Sequence, residues 1–140
     1  MKRQVFLRYA NFENGASLKM AIRLNSSIVE TIEDTETKKL KLIKIRDKEV
    51  DASIELELPK ALSDTFQIKE EVSVVIDSEE IPKGESARLY GEGTIFKMKH
   101  EEPFEVVATL GGLRLIIEIT KPKKSQTKAF EKHNFFIAIK

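Results

Sequence analysis

Apolar and polar residues alternate with a period of two along much of this chain. Between Ser17 and Leu24 the apolar positions are Leu18, Met20, Ile22 and Leu24. Between Asp51 and Leu58 they are Ala52, Ile54, Leu56 and Leu58, with Ser53, Glu55 and Glu57 in between. Val72, Val74 and Ile76 repeat the pattern. This period places each class on its own face of a strand. Strands with one polar face belong to antiparallel sheets. The same criteria predict strands at Gln4–Tyr9, Lys39–Arg46, Leu89–Met98, Phe104–Leu110, Leu113–Thr120 and Asn134–Ile139. Roughly eight or nine short strands at this spacing predict a barrel or a sandwich.

The connections carry other signals. In Ser26–Glu36 the apolar residues Ile28, Val29 and Ile32 fit one helical face, but Thr31, Thr35 and Thr37 are poor helix formers. A loop or short turn is expected there. Pro59–Gln67 reads as a loop with room for one helical turn. Ser78–Arg88 reads as a loop around Ile81-Pro82-Lys83-Gly84, and Lys121–Lys128 as a basic loop.

The run Phe104–Ile119, FEVVATLGGLRLIIEI, has two adjacent glycines inside an apolar stretch. Glycine weakens regular structure, so the pair needs a reason. A two-residue hairpin turn requires positive φ and supplies one. With Gly111-Gly112 as that turn the register is forced. Leu110 faces Leu113, Ala108 faces Leu115, Val106 faces Ile117 and Phe104 faces Ile119, all apolar and on one face. The other face pairs Thr109 with Arg114, Val107 with Ile116 and Glu105 with Glu118. Slipping by one residue would reverse the faces. The two opposed glutamates repel by a few tenths of a kcal/mol, so a cation from a third strand or a partner is expected between them. In Leu89-Tyr90-Gly91-Glu92-Gly93 two further glycines share one strand face. They mark a bend, a bulge or a close approach by another group.

At 140 residues the chain makes one domain, 1–140, with ample material for a core. The absence of Cys removes disulfides and thiolate metal sites. Arg8 interrupts the N-terminal apolar residues, and no run approaches the ~20 apolar residues of a membrane span, so a cytoplasmic location is expected. Charged residues make up 34% of the chain, yet the net charge is only +1. Such a balance does not demand a strongly charged partner. With 18 Lys, 18 Glu and 15 Ile against 4 Asn and 3 Gln, the composition resembles that of hyperthermophilic proteins and predicts a thermophilic source.

Candidate chemistry is sparse. The Gly91-Glu92-Gly93 run lacks the third glycine and the helix of a dinucleotide fingerprint. His100 and His133 have no third ligand at metal spacing. No Ser occupies a nucleophile elbow. Glu70-Glu71, Glu79-Glu80 and Glu101-Glu102 adjoin turns and read as solvated acids. No catalytic residue, metal or cofactor is expected. The aromatics Phe12, Phe66, Phe96, Phe104 and Phe135 read mainly as core. The basic segments leave a free-standing barrel for single-stranded nucleic acid as the alternative function, with Lys121, Lys123, Lys124 and Lys128 as its candidate contacts.

Tyr90–Met98 (YGEGTIFKM), Phe104–Glu118 and the closing Asn134–Lys140 (NFFIAIK) together resemble one family: subunit eight of the nuclear DNA-directed RNA polymerases, together with its archaeal counterpart. That family shows a Tyr-Gly strand start, an aromatic several residues on, a Ser-aromatic-Gly-Gly-Leu hairpin and an apolar last strand followed by basic residues. Tyr90-Gly91, Phe96, Thr109-Leu110-Gly111-Gly112-Leu113 and Phe135–Lys140 occupy those places here. Asp51–Asp77 also resembles the family's earlier pair of strands. Thr109 and Leu110 replace the family's Ser and aromatic, and Ser78–Arg88 is shorter than the acidic loop of the eukaryotic members, both of which suit an archaeal member.

The resemblance implies an antiparallel, OB-fold-like barrel of about eight strands. It implies a non-catalytic subunit of DNA-directed RNA polymerase, docked on the largest subunit and supporting the assembly of the transcription complex. Polymerisation would belong to other chains, and nucleic acid would be met weakly or indirectly. Gly91, Gly93, Gly111 and Gly112 would allow close backbone approach, and Tyr90, Leu113 and Arg114 would supply side-chain contacts.

Overall fold

The computed structural model describes residues 21–140 apart from residue 83. The strand expected at Gln4–Tyr9, and the first part of that expected at Ser17–Leu24, lie outside the described residues. The strands are β1 (Ile22–Asp34), β2 (Leu40–Asp47), β3 (Ala52–Pro59), β4 (Glu71–Asp77), β5 (Leu89–Lys99), β6 (Phe104–Leu110), β7 (Leu113–Ile119) and β8 (Asn134–Ile139). They close into an eight-stranded antiparallel barrel in the order β1-β2-β3-β7-β6-β5-β8-β4. Two short helices, α1 (Lys60–Ser63) and α2 (Lys124–Thr127), lie in the connections.

The alternating faces decide which side turns inward. On β3, Ala52, Ile54, Leu56 and Leu58 are buried while the residues between them are half-exposed. Ile119, Ile117 and Leu115 of the neighbouring β7 lie beside Ala52, Ile54 and Leu56 in register, and Val106, Ala108 and Ile137 share the same core. The β6–β7 hairpin has the register that its turn requires: Leu110 faces Leu113, Val106 faces Ile117 and Phe104 faces Ile119. Gly111 has φ +59° and Gly112 φ +85°, both in the region closed to most L-residues. The cation expected near Glu105 and Glu118 comes from β5, where Lys99 pairs in register with Glu105 and its Nζ lies 4.0 Å from Oε1.

The expectation of a loop at Ser26–Glu36 is wrong: β1 runs through to Asp34. Two irregularities explain the misleading pattern. The register shifts between Leu24 and Ser27 against β4, and between Val29 and Thr31 against β2. Inward positions therefore fall at Ile22, Leu24, Ser27, Val29 and Ile32. Steps of two and three alternate along this list, which resembles a helical face more than a strand. Each bulge adds a residue and bends the strand. Asp47 secures the first one. Its buried carboxylate accepts the Ser26 N–H at 3.0 Å, the Ser27 hydroxyl at 3.1 Å and the Val50 N–H at 2.9 Å.

Each end of the barrel is closed by a helical connection carrying a phenylalanine. At the end where β3 and β6 finish, α1 and the following turn place Phe66 under the Arg88 guanidinium, 4.8 Å from the ring centre. Arg88 also pairs with Glu70 at 2.6 Å and donates to the Thr65 carbonyl at 3.0 Å. At the opposite end the segment Lys121–Lys128, expected to be a loop, folds into α2 and a 3-10 turn over Lys128–Phe130. Ala129 and Phe130 plug this end, with Phe130 5.9 Å from Phe104 and 5.3 Å from Phe135 between ring centres. Burying Ala129 and Phe130 gives the basic segment a reason to coil, because it then needs a helical turn to reach the interior.

Candidate functional site

An apolar cleft of about 340 Å³ opens on the barrel surface at the α1 end. Its geometry follows from how β3 and β7 separate. Their pairing ends at Leu56 and Leu115, so Glu57–Pro59 and Leu113–Arg114 diverge. Pro59 leaves the sheet into α1, and Leu62, four residues after Leu58, turns toward the same side. Leu58, Pro59 and Leu62 make one wall; Leu89, Tyr90 and Gly91 make the opposite one; Leu110, Gly111 and Leu113 make the floor at the hairpin. Leu62 is one of the few large apolar side chains that remain exposed. Glu92 contributes a carboxylate at the rim. It accepts a hydrogen bond from the Asn134 side-chain amide at 2.8 Å.

Tyr90 is held rather than free. Its ring stacks on Phe136 at 6.2 Å, and its hydroxyl accepts the Ile81 N–H at 3.3 Å. Gly84 presses so closely on that ring that a Cβ there would lie 2.5 Å from it. The Ser78–Arg88 connection thus fixes one wall of the cleft.

Of the residues singled out from sequence as partner contacts, Tyr90, Gly91, Gly111 and Leu113 meet in this cleft. Gly112 is exposed at the turn beside it. Gly93 lies elsewhere, buried beneath Phe135, whose ring atom Cζ is 2.5 Å from where a Cβ would stand. Arg114 points to a neighbouring polar depression with Asp34, Thr35, Glu36, Thr37, Leu42 and Glu57. Its backbone N–H donates to Glu57 Oε1 at 3.1 Å. Lys121, Lys123, Lys124 and Lys128 are exposed at the opposite end of the barrel.

Pattern reading missed Leu58, Pro59 and Leu62 as cleft residues. The available signal was a strand-ending proline, after which the chain turns into α1 and carries Leu62 back to the side of Leu58. It also placed Phe96 with the core-facing aromatics, but Phe96 is 82% exposed. The register shift between Ile95 and Lys97 throws it outward.

Reactive groups do not gather at the cleft. Among the described residues no cluster of three or more His, Asp or Glu side chains is arranged to hold a metal ion. His100 packs at 5.8 Å from the Phe104 ring, and His133 is exposed. Burial raises the Asp77 carboxyl above its ordinary value of 3.8, and N–H groups of Glu79 and Ser78 and the charge of Arg23 oppose that rise. This carboxylate closes the end of β4 and lies away from the cleft. No helix among the described residues is long and apolar enough to cross a membrane. The chain matches no family model and no curated protein.

Proposed function

We propose that this chain is a non-catalytic small subunit of a DNA-directed RNA polymerase, of the kind called subunit eight in the nuclear enzymes and represented by a counterpart in archaea, and that it docks on the largest subunit through the apolar cleft. The observation that carries this reading is the meeting of Tyr90, Gly91, Gly111 and Leu113 in one open apolar cleft. Those residues belong to two of the three stretches that carry the family resemblance, Tyr90–Met98 and Phe104–Glu118, and they come together across different strands.

The chemistry of the cleft suits a protein partner. Leucines and a proline around a braced tyrosine form an anchor pocket, and Glu92 and the polar depression near Arg114 supply a rim. Interfaces concentrate their binding energy in such a centre. The closed barrel offers a stiff body on which a larger chain can fold, and binding of that kind stabilises both partners by linkage. The subunit's contribution is then mechanical: it orders a surface of its partner, while the transfer of nucleotides takes place elsewhere.

Co-expression with the largest polymerase subunit of the source organism tests this. The untagged chain should co-purify in a one-to-one ratio, and Leu113→Glu together with Leu62→Glu should abolish recovery while leaving the β-sheet circular dichroism intact. Failure of the wild-type chain to associate with that subunit, or undiminished association of the doubly charged variant, would overturn the assignment.

A further inference from the structure

The bulge in β5 leaves one residue outside the ladder. Thr94 pairs with Thr109, Ile95 with Ala108 and Lys97 with Val107, so Phe96 has no partner on β6. The other described phenylalanines are buried or half-buried, whereas Phe96 is 82% exposed. Bulges re-aim side chains in this way, and they concentrate near functional sites.

The surroundings of this ring narrow what could cover it. Thr94, Lys97, Lys99 and Thr109 are exposed around it on the outer face. The Ile95 N–H donates to the His133 carbonyl at 2.7 Å, which brings Lys132, His133 and Asn134 alongside. Of the nearby acids, Glu105 faces Lys99 at 4.0 Å and Glu79 is bound by Lys132 at 2.7 Å, while Glu101, Glu102 and Glu118 gather with Glu105 in a depression at the β5–β6 turn, beyond Lys99. Lys97 has no ion pair among the described residues. Lys121, Lys123, Lys124 and Lys128 extend the basic surface at this same end of the barrel, where β5 and β7 finish.

A protein partner would need a contiguous apolar area at the centre of its footprint. Phe96 offers one ring beside the hydroxyls of Thr94 and Thr109 and the free ammonium of Lys97, with the carboxylates gathered beyond Lys99. A flat heteroaromatic ring needs little more than one open π-face, with cations within reach for its phosphate. We infer that Phe96 is a stacking platform for a base of single-stranded nucleic acid, with Lys97 and the lysines of the same barrel end receiving the phosphates. This site is separate from the cleft and does not depend on the polymerase assignment.

Fluorescence anisotropy of the full chain with a labelled twelve-nucleotide oligothymidylate and the matching oligouridylate tests the inference. Wild-type protein should bind at low salt, with log affinity falling by about 0.7 per phosphate contact for each tenfold rise in salt. Phe96→Ala should weaken binding roughly 5- to 150-fold, while Phe96→Trp should retain it. Lys97→Ala should weaken binding and flatten the salt dependence. Phe96 is exposed, so these variants should melt with the wild type. If Phe96→Ala fails to fold, the Phe96→Trp and Lys97→Ala titrations decide the matter. Absence of saturable binding by the wild type, equal binding by Phe96→Ala, or a Phe96→Ala variant that loses a protein partner while keeping the oligonucleotide, would overturn it.

Discussion

The two ends of the barrel are closed by the same device and finished differently. At each, a short helical connection drives a phenylalanine against the sheet: Phe66 after α1, Phe130 after α2. Phe130 completes an aromatic cluster with Phe104 and Phe135, and its end is sealed and rimmed with lysines. Phe66 covers its end less completely, because β3 and β7 stop pairing before they reach it. The gap that remains is the apolar cleft. One end therefore buries its apolar residues in the core, and the other leaves Leu62 and the cleft around it open at the surface.

The largest expected effect is at the sealed end. Phe130→Ala should cost about 3–5 kcal/mol, read as a lowered midpoint in denaturant with an unchanged slope. Leu62→Ala, at the open end, should cost under ~1 kcal/mol because the side chain is 38% exposed. Equal losses at the two positions would break the contrast.

Next comes the bulge that sets the course of β1. Asp47→Ala strands the Ser26 and Val50 N–H groups and leaves the Ser27 hydroxyl only the Leu24 carbonyl, at 3.2 Å. Its expected cost is about 2–4 kcal/mol, and Asp47→Asn should restore only part of it, because the amide keeps one acceptor oxygen and turns an NH2 donor toward the donors that the other oxygen served. A neutral Asp47→Ala would show that the bulge forms without its clamp.

The hairpin at the open end gives a smaller effect. A Cβ on Gly111 would meet no atom within 4 Å, so only its positive φ opposes substitution. Gly111→Val should cost ~2 kcal/mol and Gly111→Asn well under that, since Asn tolerates the left-handed region. Thermal melts of the two variants measure this, and matching melts would remove the turn from the account.

The smallest effect is a pH dependence. The Asp77 carboxyl is raised in the folded state, chiefly by burial. The native protein then holds this proton more tightly than the unfolded chain does. Asp77 therefore lowers stability as pH rises from about the ordinary value of 3.8 through the folded-state value. Asp77→Asn retains an acceptor for the Glu79 N–H and should gain on the wild type as pH rises across that window, with the two alike below it. Denaturation series at several pH values give the difference directly.

Much of the architecture was legible because the alternation in β3, β4, β6 and β7 is uninterrupted and Gly111-Gly112 allows one register only. The reading failed where bulges alter the period. In β1 a step of three replaced a step of two twice, and the segment looked helical. In β5 a single shift hid the fact that Phe96 faces outward. Lys121–Lys128 misled for a different reason: nothing in its polarity announces that Ala129 and Phe130 beyond it must enter the interior. The cleft was half legible. Tyr90, Gly91, Gly111 and Leu113 stood out in the sequence, but Leu58 and Leu62 joined them only through tertiary placement of α1.

Hydrogen exchange on the chain alone and in complex with the largest polymerase subunit tests the central claim most directly. Protection should appear on binding at Leu58–Leu62, Leu89–Glu92 and Leu110–Leu113, with the segment Lys121–Lys132 unchanged. Protection confined to the lysine-rimmed end, or none at the cleft in a stable complex, would contradict the account.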